Sequence, residues 1–217
     1  MQLDGPGLRP LSGGTPAELI VILHGVAASG QAVLWLAQAW RELFPRAEFL
    51  VPNAPFACDY APEQRQWFSL QDWTPKILLA GLRKADGILD AYLDELLDSR
   101  KLDDSRLALA GFSQGGAMAL YAALRRRNRI AGVVSLSGFL PETSEFLSDI
   151  RNTPLVLLVH GENDDAVPFT AMAGAQALLK AANVPVKAVP RPGLGHIIDD
   201  AAVALGAEFL GFALGLT

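Results

Sequence analysis

Short apolar runs alternate with longer stretches of helical periodicity along the whole chain. The runs are Leu19–Leu23, Phe49–Val51, Leu107–Ala110, Gly132–Leu136, Leu155–Val159 and Val186–Val189. Most are rich in Val, Ile and Leu with no polar alternate, the pattern of strands buried on both faces. Between them the spacing predicts helices over about 31–43, 76–99, 114–127, 142–150, 169–182 and 199–214. The last carries Ala202, Leu205, Phe209 and Phe212 at helical intervals. Strands alternating with helices predict a doubly wound α/β architecture, a mostly parallel central sheet with helices on both faces. No repeat, heptad or low-complexity tract interrupts it, so residues 1–217 are expected to form one domain. The stretch 52–75 breaks the rhythm, with Pro52, Pro55, Pro62 and Pro75 and two tryptophans. Long loops of this kind in compact domains are usually functional.

Composition narrows the class. The chain is 51% hydrophobic with a net charge of -5, which gives no general attraction to nucleic acid or anionic lipid. The dense basic cluster Arg125, Arg126, Arg127 and Arg129 falls where a predicted helix ends, where cations complement the helix dipole. One cysteine, Cys58, rules out an internal disulfide and fits a reducing compartment. The first ten residues lack the basic start and apolar run of a signal peptide. Residues 201–217 are apolar but interrupted by Glu208 and three glycines, short of the roughly 20 apolar residues that span a bilayer. They are expected to form a packed helix.

The sharpest motif is Gly111-Phe112-Ser113-Gln114-Gly115, preceded by a strand and followed by an apolar helix. That context turns a common G-x-S-x-G pattern into a nucleophile elbow with Ser113 as nucleophile. A Gly-Lys-Ser/Thr phosphate loop is absent. A serine hydroxyl needs a base to take its proton, and the chain has only three histidines. In α/β hydrolases the acid and then the histidine follow the serine. His24 precedes it, and His160 comes before every acid that could serve it, which leaves His196 in Pro192-Gly-Leu-Gly-His196. The loop after Leu155–Val159 offers Glu162, Asp164 and Asp165; spacing favours none decisively, with Asp165 the main competitor of Asp164. His24-Gly25-Val26 lies where this elbow type finds an oxyanion-hole amide, so Val26 N–H and Gln114 N–H are the expected donors. His24 is expected to brace that turn, His160 and Gly161 to shape the acid's loop. Trp67 is expected to line the substrate pocket and Phe68 the core; Trp35 and Trp40 read as packing. The histidines are scattered and form no ligand-spaced cluster, so neither metal nor cofactor is expected.

Five motifs in order then carry a resemblance: Leu23-His24-Gly25, Gly111-Phe-Ser-Gln-Gly-Gly116, Leu136-Ser-Gly-Phe-Leu-Pro141, His160-Gly-x-x-Asp164-x-x-Val-Pro168 and Pro192-Gly-Leu-Gly-His196. From about residue 16 onward the chain resembles the phospholipase/carboxylesterase family of α/β hydrolases, which includes the acyl-protein thioesterases. The resemblance implies a small cytoplasmic esterase or thioesterase without metal or cofactor, often homodimeric. It selects Asp164 as the acid. Where acyl-protein thioesterases usually carry Leu-Gly-Asp after the His-Gly pair, this chain has Val26-Ala27-Ala28, and Gln66-Trp67-Phe68 looks closer to short bacterial carboxylesterases. The expected activity is therefore hydrolysis of short acyl esters of small molecules through an acyl-enzyme. Thioester or lysophospholipid hydrolysis on the same triad is the alternative, followed by a non-catalytic binding module and by a lyase or cofactor-free oxygenase on the same scaffold.

Overall fold

The computed structural model describes residues 3–216. Its frame is a seven-stranded sheet built from β1 (Gly7–Leu8), β2 (Glu18–Leu23), β3 (Ala47–Leu50), β6 (Leu107–Phe112), β7 (Gly132–Leu136), β8 (Leu155–Gly161) and β9 (Val186–Arg191). The order is β1-β3-β2-β6-β7-β8-β9, parallel throughout except for β1. Two short strands, β4 (Phe56–Ala57) and β5 (Arg65–Gln66), form a separate hairpin inside the proline-rich loop. The six helices are α1 (Gly30–Arg41), α2 (Pro75–Arg100), α3 (Gln114–Arg125), α4 (Ser144–Asp149), α5 (Thr170–Ala181) and α6 (Asp200–Ala213). All six predicted helices and all six predicted strands are present, with ends shifted by up to two residues. β1, β4 and β5 have no counterpart in the sequence pattern, because two-residue strands carry no periodicity to read.

Alternation within the strands divides the core. Leu19, Val21, Leu23, Leu107 and Leu109 face α2, α3, α4 and α5, while Ile20, Ile22, Ala108 and Ala110 face α1 and α6. Both faces are covered, which is why β2 and β6 read as unbroken apolar runs. On the second face Trp40 of α1 donates its indole N–H to the Val203 carbonyl of α6 at 2.9 Å. Gly206 permits that approach, since a methyl there would stand 2.7 Å from the Trp40 ring.

The arginine cluster does more than complement a dipole. Arg126, immediately after α3, is buried and reaches Asp90, Asp94 and Asp104, each at 2.7 Å. One guanidinium thus ties α2, the turn before β6 and the end of α3, with its donors satisfied in the fork geometry that suits arginine. Arg125 lies 3.2 Å from buried Asp86 of α2 and 3.5 Å from Asp149 of α4. Burial pushes the Asp86 carboxyl up to about 7, and the nearby Arg125 charge only partly offsets it.

That shift sets a pH dependence. A folded-state value raised above the unfolded one means the folded state binds more protons between about pH 4 and 7, so Asp86 costs stability as pH rises through that window. Buried His24, held below its ordinary range by desolvation, acts in the opposite sense near the histidine range. Comparison with a variant isolates the aspartate. Relative to wild type, Asp86→Asn is expected to gain thermal stability progressively from pH 5 to pH 8, by roughly 2–4 °C per kcal/mol recovered. Melting curves at four pH values decide it; a pH-independent difference would refute the assignment.

Candidate active site

Ser113 sits between the end of β6 and the first residue of α3, with φ 56° and ψ -122°. Left-handed backbone at a non-glycine residue costs about 1–3 kcal/mol and persists only where the surroundings enforce it. They do so on three sides. The Ser113 amide donates to the Leu136 carbonyl at the end of β7 at 2.8 Å. A methyl on Gly111 would stand 2.2 Å from the Gly115 carbonyl oxygen, and one on Gly115 would stand 2.1 Å from the carbonyl of Leu23. A methyl on Gly116 would meet the Ser135 hydroxyl at 2.8 Å. Three glycines therefore let helix α3 start against the ends of β2 and β7. The Ser113 hydroxyl makes no capping bond to its own helix and faces a cavity.

His196 stands on the loop between β9 and α6 and lines the same cavity as Ser113. Its Nδ1–H donates to Asp164 Oδ2 at 2.7 Å, which leaves Nε2 with the lone pair a base needs. Its ring centroid lies 4.7 Å from that of Phe112, the two rings tilted by 37°. Asp164 is buried on the loop after β8, whereas Asp165 is exposed. Asp164 Oδ1 accepts the backbone N–H groups of Ala166 at 3.0 Å and Val167 at 2.8 Å. Burial alone would raise this carboxyl. Hydrogen bonds from His196, the Val167 amide and the Ser137 hydroxyl overcome it and hold Asp164 below the usual carboxylate range.

Val26 lines the cavity on the turn after β2, and Gln114 opens α3 beside Ser113. The first-turn amides of a helix lack intrahelical acceptors, so the Gln114 N–H is a donor of the kind an oxyanion requires. The turn at 24–28 is braced as expected of His24. Its Nε2 accepts the Ala54 N–H at 2.9 Å and its Nδ1–H donates to the Gly25 carbonyl at 2.7 Å, two bonds that fix a neutral tautomer.

Two tryptophans, Trp67 and Trp35, reverse their expected roles. Trp67 does not line the cavity: it is fully buried, its indole N–H donating to the His24 carbonyl at 2.9 Å. Its amide N–H bonds the Gln114 side chain at 2.8 Å, and that side chain donates in turn to the Phe68 carbonyl at 2.7 Å. Phe68 is in the core and Trp40 packs, as expected. Trp35 is instead 42% exposed and lines the cavity, opposite in character to its expected packing role. Trp73 and Phe139, to which the sequence pattern assigns no pocket role although Phe139 lies in the Leu136–Pro141 motif, form another wall, their ring centroids 5.2 Å apart. On α1 the helical period does carry the signal: Val33, Leu36, Ala37 and Trp40 share the core face, and Trp35 falls off it.

The cavity measures about 670 Å³. Its walls are Val, Leu, Ile, Ala, Trp and Phe side chains; among the described residues, Ser113 and His196 are its polar side chains and no carboxylate, lysine or arginine reaches it. Among the described residues no cluster of His, Cys, Asp or Glu could hold a metal.

A family model described as Phospholipase/Carboxylesterase matches residues 12–213. The chain belongs to the phospholipase/carboxylesterase family. It is accordingly a serine hydrolase of the carboxylic ester class with the α/β-hydrolase fold. Acyl-protein thioesterase 1 of Schizosaccharomyces pombe is 30% identical over 186 residues, covering 80% of each chain. Carboxylesterase SOBER1 of Arabidopsis thaliana is 29% identical over 197 residues, covering 83% of this chain and 84% of that one. Among solved structures, esterase PE8 superposes with a TM-score of 0.92 at 33% identity, covering 98% of this chain and all of that one. Among the described residues no helix is long and apolar enough to cross a membrane.

The elbow's packing yields a paired test. Gly115→Ala forces a methyl into backbone and is expected to cost about 1–3 kcal/mol or more, seen as a clear drop in melting temperature with loss of activity. A methyl added at Gly87 of α2 would have nothing within 4 Å, so Gly87→Ala is expected to stabilise by roughly 0.5–1 kcal/mol. Equal effects from the two would refute the steric account.

Proposed function

We propose that this hydrolase is a carboxylesterase for uncharged short acyl esters, working through Ser113, His196 and Asp164. His196 Nε2 takes the Ser113 proton as Oγ attacks the ester carbonyl. The oxyanion is met by the Val26 and Gln114 amides, each worth roughly 3 kcal/mol in comparable sites. The imidazolium, stabilised by ionised Asp164, then gives its proton to the departing alcohol. Water enters, loses a proton to His196 and releases the acid by the same route.

The observation that carries the substrate class is that, among the described residues, no arginine, lysine or carboxylate lines the cavity wall. An acyl-CoA would bring phosphates and a lysophospholipid a charged headgroup, and neither meets an arginine or lysine there. Burying such a charge unpaired is costly, so the walls select neutral groups on both sides of the scissile bond. Hydrolysis of simple thioesters shares the chemistry and is the second reading, supported by the thioesterase name of the fission-yeast relative.

A panel of p-nitrophenyl acetate, butyrate, octanoate and palmitate, run beside palmitoyl-CoA and lysophosphatidylcholine, tests this. The short esters are expected to give kcat/KM at least tenfold above either charged substrate; the reverse order would overturn the reading. Ser113→Ala is expected to fold normally, to lose fluorophosphonate labelling and to fall roughly 10³–10⁶-fold in kcat. Retention of a tenth of wild-type kcat would remove Ser113 from the role.

A further inference from the structure

His160 lies at the end of β8, opposite Pro190 of β9, and its side chain is 1% exposed. Its Nε2 is 2.9 Å from the Val167 carbonyl and 3.3 Å from Asp164 Oδ2. Both neighbours are acceptors, so Nε2 carries a proton; it donates that proton to the Val167 carbonyl, and Asp164 Oδ2 stands beside the bond. The ring is set by an edge contact with Phe169, centroids 6.1 Å apart at 75°. One imidazole therefore closes the loop 160–167 at its far end, and that loop supplies both amides that grip Asp164 Oδ1.

We propose that His160 is a positioning residue, whose Nε2–H holds Val167, the residue whose amide grips Asp164 Oδ1, and so fixes the direction from which Asp164 Oδ2 presents its lone pair to His196. The inference rests on the Ser113–His196–Asp164 reading above. With Oδ1 held by two amides, the carboxylate can still pivot about that edge. The bond from His160 to the Val167 carbonyl holds that edge in place, and the Ser137 hydroxyl adds a further hydrogen bond to the carboxylate. Ser137 is itself held in left-handed backbone, φ 51°, by donating its amide to the Val159 carbonyl at 2.8 Å. A pivot loosens the 2.7 Å bond that selects the His196 tautomer. The cost then falls on the chemical step, because His160 does not line the cavity beside Ser113.

Two amide side chains separate this from a merely structural role. Glutamine extends its amide nitrogen about as far as histidine Nε2, whereas the amide of asparagine ends at the reach of histidine Nδ1. His160→Gln is expected to keep kcat within about threefold of wild type. His160→Asn is expected to lose roughly 10–100-fold in kcat, with KM within about twofold, on the scale known for polar groups that orient a neighbouring functional side chain. Rates are expressed per active site titrated with a fluorophosphonate, so misfolded protein is not counted; His160→Leu replaces the asparagine variant if that does not fold. Equal kcat in the long and short variants would overturn the proposal, as would a loss confined to KM. Asp164→Asn runs alongside: an active Asp164→Asn enzyme would refute the triad reading itself, whereas an inactive one beside equal His160 variants refutes the positioning role alone.

Discussion

The close approach of α3 to the carbonyl ends of β2 is the constraint on which the rest depends. Gly115 lies where no side chain fits, against the carbonyls of Leu23 and His24. That contact puts the turn carrying Val26 beside the turn carrying Ser113, although 87 positions separate them in the chain. The left-handed Ser113 is a consequence of the same geometry, because the chain must reverse from β6 into α3 within one residue. Strain here is maintained by neighbours on every side: β2 and β7 are paired to β6 over five residues each. A rigid parallel sheet supplies the energy that a lone loop could not.

Charge is distributed in the same spirit. The carboxylates and arginines concentrate around α2 and the end of α3, where Arg126 gathers three aspartates. The wall of the cavity beside Ser113 carries none among the described residues. Asp164, buried and bonded to the cavity's His196, is matched by backbone and side-chain donors rather than by a cation. A salt-bridged acid would share its charge with the partner. One held by neutral donors keeps its field available for the imidazolium that forms beside it.

Much of this is legible in the chain and some is not, for definite reasons. Buried parallel strands are local signals, so β2, β6, β7 and β8 read directly as apolar runs. The Ser113 elbow is legible because its glycines are a local steric requirement. Spacing does not decide between Asp164 and Asp165, since which carboxylate turns inward depends on amides at 166 and 167 and on a histidine 32 positions later. The tryptophans of the long loop escape a sequence reading for a related reason. Trp67 is buried by bonds to His24 and Gln114, each more than 40 positions away, and nothing local announces them. Trp35 departs from its expected packing role despite a local signal, because an apolar helix looks uniformly buried until its period is counted.

The loop 52–75 draws these threads together. Its irregularity marks it as functional, and its function is divided along its length. Its middle is structural: Trp67 and Phe68 are clamped by the Gln114 carboxamide, while the hairpin edge at Arg65 exchanges backbone bonds with Ala28 of the turn after β2. Its end faces the cavity, which Leu70 and Trp73 line. Because Gln114 opens α3 beside Ser113 and its side chain clamps Trp67 and Phe68, the cavity wall is registered to the turn that carries Ser113. An aromatic wall hung on an unclamped loop would place the acyl group with the freedom of that loop, and near-attack geometry tolerates little of it. The position after Ser113 therefore carries two demands at once, and glutamine satisfies both: a long side chain whose carboxamide accepts from one backbone group and donates to another, on a residue at the helix start.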